Sequence, residues 1–168
     1  MKKIKIFITD IDGVWTDGSM FYTEEGFMGK KFHTYDSAGV LFLKLSGIPL
    51  AIVSGEESKA VHERAKKLGI QEVYTGVKDK TAIVEKLLLK YQVSWEETAY
   101  IGDDINDIKV LERVGLSACP AQAPDYIKDK VDWVLTKKGG EGVFREFVEK
   151  YLKENDLLEM ALEKYLKA

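Results

Sequence analysis

Cysteine is almost absent: Cys119 stands alone between Ala118 and Pro120. No internal disulfide can form, which fits a reducing compartment, and small neighbours suit a buried filler. Long apolar runs are absent, and no stretch approaches the ~20 residues needed to cross a bilayer. The first residues lead directly into a strand and lack the small-residue cleavage pattern of a secretory leader. Basic blocks are missing too, because 25 Lys and Arg are interspersed among 28 Asp and Glu for a net charge of −3. A nucleic-acid binder would show a basic stripe. The expectation is a cytoplasmic protein with neither a membrane nor a nucleic-acid partner. An anionic ligand must then rely on local cations rather than on the overall field. Histidine is scarce, and neither His33 nor His62 is placed for catalysis.

What is present is alternation. Apolar strand-like runs at 3–9, 50–53, 73–75, 99–101, 116–118 and 133–135 are separated by helix-like spacing at 38–45, 58–68, 81–91, 108–114, around Tyr126, and at 143–152. Strand and helix in turn predict an α/β, doubly wound parallel sheet with right-handed crossovers. The interruption is a hairpin at about 19–34, with Glu24-Glu25-Gly26 as its turn. A tail at about 154–168 carries Leu157, Leu158, Ala161, Leu162, Tyr165 and Leu166 at helical spacing, a stripe to dock on the body or on a neighbour. No repeat, linker or low-complexity tract appears, and 168 residues suit one domain.

The first strand ends in Asp10-Ile11-Asp12-Gly13. Two carboxylates one residue apart on a strand repel each other unless a cation or a shared proton compensates. A hard divalent ion such as Mg²⁺, held by oxygen ligands, is the simplest compensator. The strand at 50–53 ends in Ser54-Gly55, Lys80 precedes a helix, and the strand at 99–101 ends in Gly102-Asp103-Asp104-Ile105-Asn106-Asp107. In a parallel sheet all these strand exits lie along one edge, where ligands bind.

These four segments together resemble the haloacid dehalogenase superfamily of phosphohydrolases. Gly13-Val14-Trp15-Thr16-Asp17-Gly18, Asp36-Ser37-Ala38-Gly39 and Gly139-Gly140-Glu141-Gly142 are similar to the branch that dephosphorylates 3-deoxy-2-keto sugar acids. The resemblance covers about 3–152 and implies a Rossmann-like haloacid dehalogenase fold. It makes Asp10 the nucleophile and Asp12 the general acid and base. Mg²⁺ is then held by Asp10, the Asp12 carbonyl and Asp103, with Asp104 or Asp107 behind them. Ser54 and Gly55 bind phosphate, and Lys80, rather than its rival Lys78, supplies the positive charge. Asp104 and Asp107 equally suit helix capping, and Asp107 also suits orienting Lys80.

A signalling receiver domain shares some of these parts. Its acceptor aspartate, however, ends a middle strand where this chain has Ser54, and its lysine follows rather than precedes the Asp103 strand.

Substrate recognition falls to Thr34, Asp36, Ser37 and the 139–142 loop, with Arg145 or Arg64 as the donor fork for a sugar-acid carboxylate. Arg145 equally suits a helix surface. Glu56 departs from the octulosonate 8-phosphate enzymes of the branch, which usually carry arginine directly after Ser-Gly. Glutamate there with lysine at Lys67 resembles enzymes of the nine-carbon nonulosonate 9-phosphates. On one helix the two would share a face about 16 Å apart. Between Asp12 and Ser54 only a hairpin, a helix and a strand fit, so no cap domain closes the site. Members of the branch are tetramers whose neighbours complete each site. Phe21, Tyr22, Phe27 and Phe32 give this hairpin an apolar face for such packing.

Overall fold

The computed structural model describes residues 3–167, with no side-chain description at 27 and 28. Six parallel strands form the central sheet: β1 (Ile6–Thr9), β4 (Leu50–Val53), β5 (Glu72–Tyr74), β6 (Thr98–Ile101), β7 (Leu116–Cys119) and β8 (Trp133–Val134). Their order across the sheet is β5-β4-β1-β6-β7-β8, with every pairing parallel. The order reverses direction at β1, so β1 lies at the switch point where α/β sheets open a crevice. Between β1 and the first helix, β2 (Phe21–Thr23) and β3 (Gly26–Gly29) form a separate antiparallel hairpin. The fold is therefore the expected one, and nothing larger than the hairpin is inserted before β4.

Helices α1 (Asp36–Leu45), α2 (Lys59–Leu68), α6 (Val143–Glu154) and α7 (Leu158–Leu166) cover one face of the sheet. The other face carries α3 (Lys80–Tyr91), α4 (Ile108–Leu111) and α5 (Asp125–Lys128). Side chains along β1 alternate between the two cores: Phe7 packs among α1 and α6 residues, and Ile6 and Ile8 among α3 and α4 residues. Both cores are continuous and apolar, which fixes the strand exits as one rigid edge.

Several boundaries move from the sequence expectation. The second hairpin strand stops at Gly29 rather than Phe32, so Lys30 leaves the ladder. The expected helix over 108–114 is a 3-10 turn at Ile105–Asp107 followed by one α-turn. There, the Asp104 and Asp107 side chains form a capping box that shortens the regular helix. The tail docks in cis through Leu157, Leu158 and Ala161. In its outer half Lys164 donates to the Leu45 carbonyl at 2.8 Å, while the apolar side chains stay out and Leu166 remains 81% exposed. On the hairpin, Phe21 and Tyr22 are exposed, whereas Phe32 packs on the main core. The Phe27 side chain lies outside the described residues.

Candidate active site

The exit of β1 is a tight loop. The amides of Val14, Trp15 and Thr16 all donate to the Ile11 carbonyl, at 3.1, 2.8 and 3.2 Å. Trp15 anchors it from below: its indole donates to Thr9 Oγ1 at 2.9 Å, and its ring stacks on Phe144. Gly13 is required twice over. Its φ is +77°, and a Cβ there would lie 1.8 Å from Asp103 Oδ2. The space a side chain would fill belongs to the carboxylate of the opposite strand exit.

Lys80 is the first residue of α3 and is buried. Its ammonium lies 3.0 Å from Asp10 Oδ2 and 2.7 Å from Asp107 Oδ1. Asp107 Oδ1 also accepts from the buried Tyr100 hydroxyl at 2.5 Å. Its Oδ2 accepts from the amides of Asp103 and Asp104 at 3.0 and 3.2 Å. Asp107 thus spends all its acceptor capacity holding Lys80 and the backbone of the 103–104 loop.

Asp10, Asp103 and Asp107 bring carboxylate oxygens within 4.8 Å of one another. Burial, then the nearby Asp107, push Asp10 up to about 7 against the pull of Lys80. Burial, then Asp10 and Asp107, push Asp103 up to about 8. Burial lowers the Lys80 pKa, but Asp10 and Asp107 outweigh it and the net direction is upward. One ammonium among three acids, two of them buried and Asp103 half-buried, leaves negative charge in excess whenever all three are ionised. The donor set, oxygen only with Asp10 and Asp103 still able to accept, fits a hard divalent cation. Asp107 is already spent and stands behind them.

The other predicted residues divide. Ser54, at the exit of β4, is buried, and its hydroxyl has no hydrogen-bond partner. Gly55 follows it at the surface, where a Cβ would lie 3.3 Å from the Asn106 amide nitrogen. Lys78 is exposed, whereas Lys80 is buried against Asp10 and Asp107. Asp104 is exposed, and its carboxylate accepts from Ile105 N at 2.7 Å as a cap.

The expected recognition residues make structural contacts of their own. Asp36 is fully buried and accepts from the backbone of Arg145 at 3.1 Å. It caps α6 from α1. Arg64 donates to Ser37 Oγ at 2.8 Å and to the His33 carbonyl, so Arg64 and Ser37 tie the 33–37 loop to α2. Arg145 pairs with Glu149 at 2.6 Å beside the rings of Tyr35 and Phe42. Thr34 is exposed. Glu56 precedes α2, which starts at Lys59, so Glu56 and Lys67 share no helix face; both are exposed. The 139–142 loop backs the loop at the exit of β1. Gln122 donates to the Gly13 carbonyl at 2.7 Å and accepts from Gly139 N at 2.8 Å, and Gly140 N donates to Val14 O. A Cβ at Gly139 would lie 1.9 Å from Gly13 O.

Three residues in the site escaped the sequence: Tyr100, Gln122 and Lys30. Tyr100 reads as one more apolar strand residue, and Gln122 as loop. Lys30 reads as a hairpin charge, yet its ammonium lies 2.5 Å from both Asp12 oxygens.

Residues 69–147 match the haloacid dehalogenase-like hydrolase family. A 3-deoxy-D-manno-octulosonate 8-phosphate phosphatase from Haemophilus influenzae is 40% identical over 146 residues, covering 87% of this chain and 81% of the relative. The crystal structure of the same-named phosphatase from Yersinia pestis superposes with a TM-score of 0.90 at 37% identity, covering 94% of this chain and 85% of that one. A third, from Moraxella catarrhalis in complex with magnesium ion, phosphate ion and KDO, gives a TM-score of 0.92 at 35% identity, covering 98% and 94%. The chain belongs to the haloacid dehalogenase-like hydrolases, in the group of phosphatases to which these sugar-acid enzymes belong.

Proposed function

We propose that this phosphoric monoester hydrolase cleaves the phosphate ester of a 3-deoxy-2-keto sugar acid with Mg²⁺ as cofactor, through a phosphorylated Asp10. The observation that carries the reading is the buried Lys80 bridging Asp10 and Asp107, beside a third acid, Asp103, that lacks a cation of its own. Asp10, the Asp12 carbonyl and Asp103 would hold Mg²⁺, which when bound neutralises charge on the phosphoryl oxygens.

Asp10 attacks phosphorus in line as the ester P–O bond breaks, and the leaving alkoxide takes a proton from the Asp12 carboxyl. Water then attacks the aspartyl-phosphate at phosphorus, giving its proton to Asp12 and restoring the Asp10 carboxylate. Lys80 and the Ser54 hydroxyl bind the non-bridging oxygens, and Gly55 lets the backbone approach them. Lys80 is held from behind by Asp107 and Tyr100, so its position needs no rearrangement during the reaction.

Glu56 follows Ser54 and Gly55 directly and is exposed. A carboxylate there disfavours a second anion and favours hydroxyls, which supports a nine-carbon nonulosonate 9-phosphate over the eight-carbon octulosonate 8-phosphate. Because Glu56 and Lys67 lie apart, both reach one substrate only across a subunit boundary. The exposed Phe21 and Tyr22 support an assembly, a homotetramer, in which neighbours close the site. The single-domain organisation and a cytoplasmic location belong to the same reading.

Phosphate release from both esters, with EDTA controls, tests it. Mg²⁺-dependent turnover favouring the nine-carbon ester is expected. Preference for the eight-carbon ester demotes Glu56 and Lys67 to surface residues, and activity on neither discards the substrate.

A further inference from the structure

Described hairpin residues from Phe21 to Gly26 are all exposed, yet the Lys30 side chain at the hairpin's base is 0% exposed. Withdrawing an ammonium from water costs several kcal/mol unless it is paired with good geometry. The described hairpin side chains from Phe21 to Glu25, all exposed, offer little apolar burial to offset that cost. The pairing is correspondingly tight: the Lys30 nitrogen sits 2.5 Å from Asp12 Oδ1 and 2.5 Å from Oδ2. Asp12's other side-chain partner is the Thr16 hydroxyl, at a weak 3.4 Å.

A carboxylate with both oxygens on one ammonium cannot turn about its Cβ–Cγ bond without losing a contact. The orientation of Asp12 is therefore set by the hairpin, across 18 residues, and not by the loop that carries it. Gly29 ends β3 immediately before Lys30, so the chain leaves the ladder where the lysine must turn toward β1.

We propose that Lys30 is a positioning residue for proton transfer: in the protonated acid it keeps its contact to one Asp12 oxygen, and the other oxygen, now O–H, is aimed at the leaving oxygen to which it gives its proton. This rests on the reading of Asp12 as general acid. It also makes the hairpin part of the chemistry: whatever seats the hairpin aims the acid.

A proton donor matters when the leaving group is an alkoxide and matters little when it is stable as an anion. The test compares a sugar-acid phosphate with p-nitrophenyl phosphate at saturating Mg²⁺. Single-turnover release of the leaving alcohol isolates the first displacement. Lys30→Met is expected to slow release from the sugar-acid ester about 100-fold, and from p-nitrophenyl phosphate less than about 5-fold. In an Asp12→Ala background the same substitution should add less than about 3-fold, because both changes remove one function. Should Lys30→Met fail to fold, Lys30→Gln carries the same comparison.

Equal losses on both esters would reduce Lys30 to an anchor of the hairpin and overturn the proposal, as would no loss on either. Additive losses in the double variant would also overturn it. If the parent cleaves p-nitrophenyl phosphate but neither sugar-acid ester, the substrate reading fails on its own. The leaving-group comparison then stands with any alkyl phosphate the enzyme accepts.

Discussion

At the scale of single residues, the site works by making carboxylates hold positions that water would not favour. Asp107 is the hinge of this arrangement, because four donors converge on its two oxygens. Asp107→Ala would leave Lys80 short of a partner and free the 103–104 backbone. It is expected to destabilise the protein by about 3–5 kcal/mol in urea titrations, the range for breaking a buried charged pair. A loss under about 1 kcal/mol would show that the network is dispensable. Tyr100→Phe removes one donor from the same acid and should cost about 1 kcal/mol while Mg²⁺ affinity holds. Asp10→Asn keeps the shape of the nucleophile but not its charge. Turnover should vanish with the fold retained, and substantial residual phosphatase activity would sink the nucleophile assignment.

At the scale of elements, the site is a set of strand exits braced by long-range contacts. Asp36 shows how a bracing residue can look like a binding residue. Its motif neighbours invite a ligand, but the carboxylate caps α6, 109 positions away. Burial is the largest cause of its pKa rising to about 6, opposed by the Arg145 amide and Arg64. Since the folded value is raised, the stability linked to protonation is full below about 3.8 and is lost as pH rises through about 6. Asp36→Asn, which keeps an acceptor and sheds the charge, should therefore compare better with the parent at pH 7 than at pH 4. Thermal unfolding at the two pH values measures this, and an unchanged difference would refute a buried ionised cap.

The same contrast explains what was legible in the sequence. Asp10, Asp12, Ser54 and Asp103 could be read because they follow the ends of three apolar strands whose shared direction brings them to one edge, and Lys80 because it opens a helix beside them. Alternation likewise gave the sheet and both helix layers. Lys30, Gln122 and the true roles of Asp36, Ser37, Arg64 and Arg145 could not be read. Their partners are set by how loops meet across the sheet edge, and no local pattern encodes that meeting. Gly139 and Gly140 belong with them, since they allow close backbone contact with Gly13, Thr16 and Asp17.

At the scale of the whole molecule, cation, protonation and stability are linked. Asp10 and Asp103 rise to about 7 and about 8 from 3.8, so the metal-free fold binds more protons than the unfolded chain over that window. Stability linked to these protons is full below 3.8 and disappears as pH rises through about 7 and then about 8. A divalent cation replaces the protons. Mg²⁺ should raise the unfolding temperature more near pH 8.5 than near pH 5.5. Equal shifts at both would mean that the cation binds elsewhere. Assembly belongs to this scale as well. Sedimentation should give a tetramer, and charged substitutions at the exposed Phe21 and Tyr22 should weaken it and activity together. A fully active monomer would separate the hairpin face from function.

The most direct test of the central claim is covalent. Enzyme turning over a sugar-acid phosphate with Mg²⁺ is quenched in acid, digested, and its Asp10 peptide weighed by mass spectrometry. The account predicts one added phosphoryl group on Asp10, absent with EDTA and in Asp10→Asn. Steady turnover with the phosphoryl group on another residue, or with Asp10→Asn still active, would contradict it.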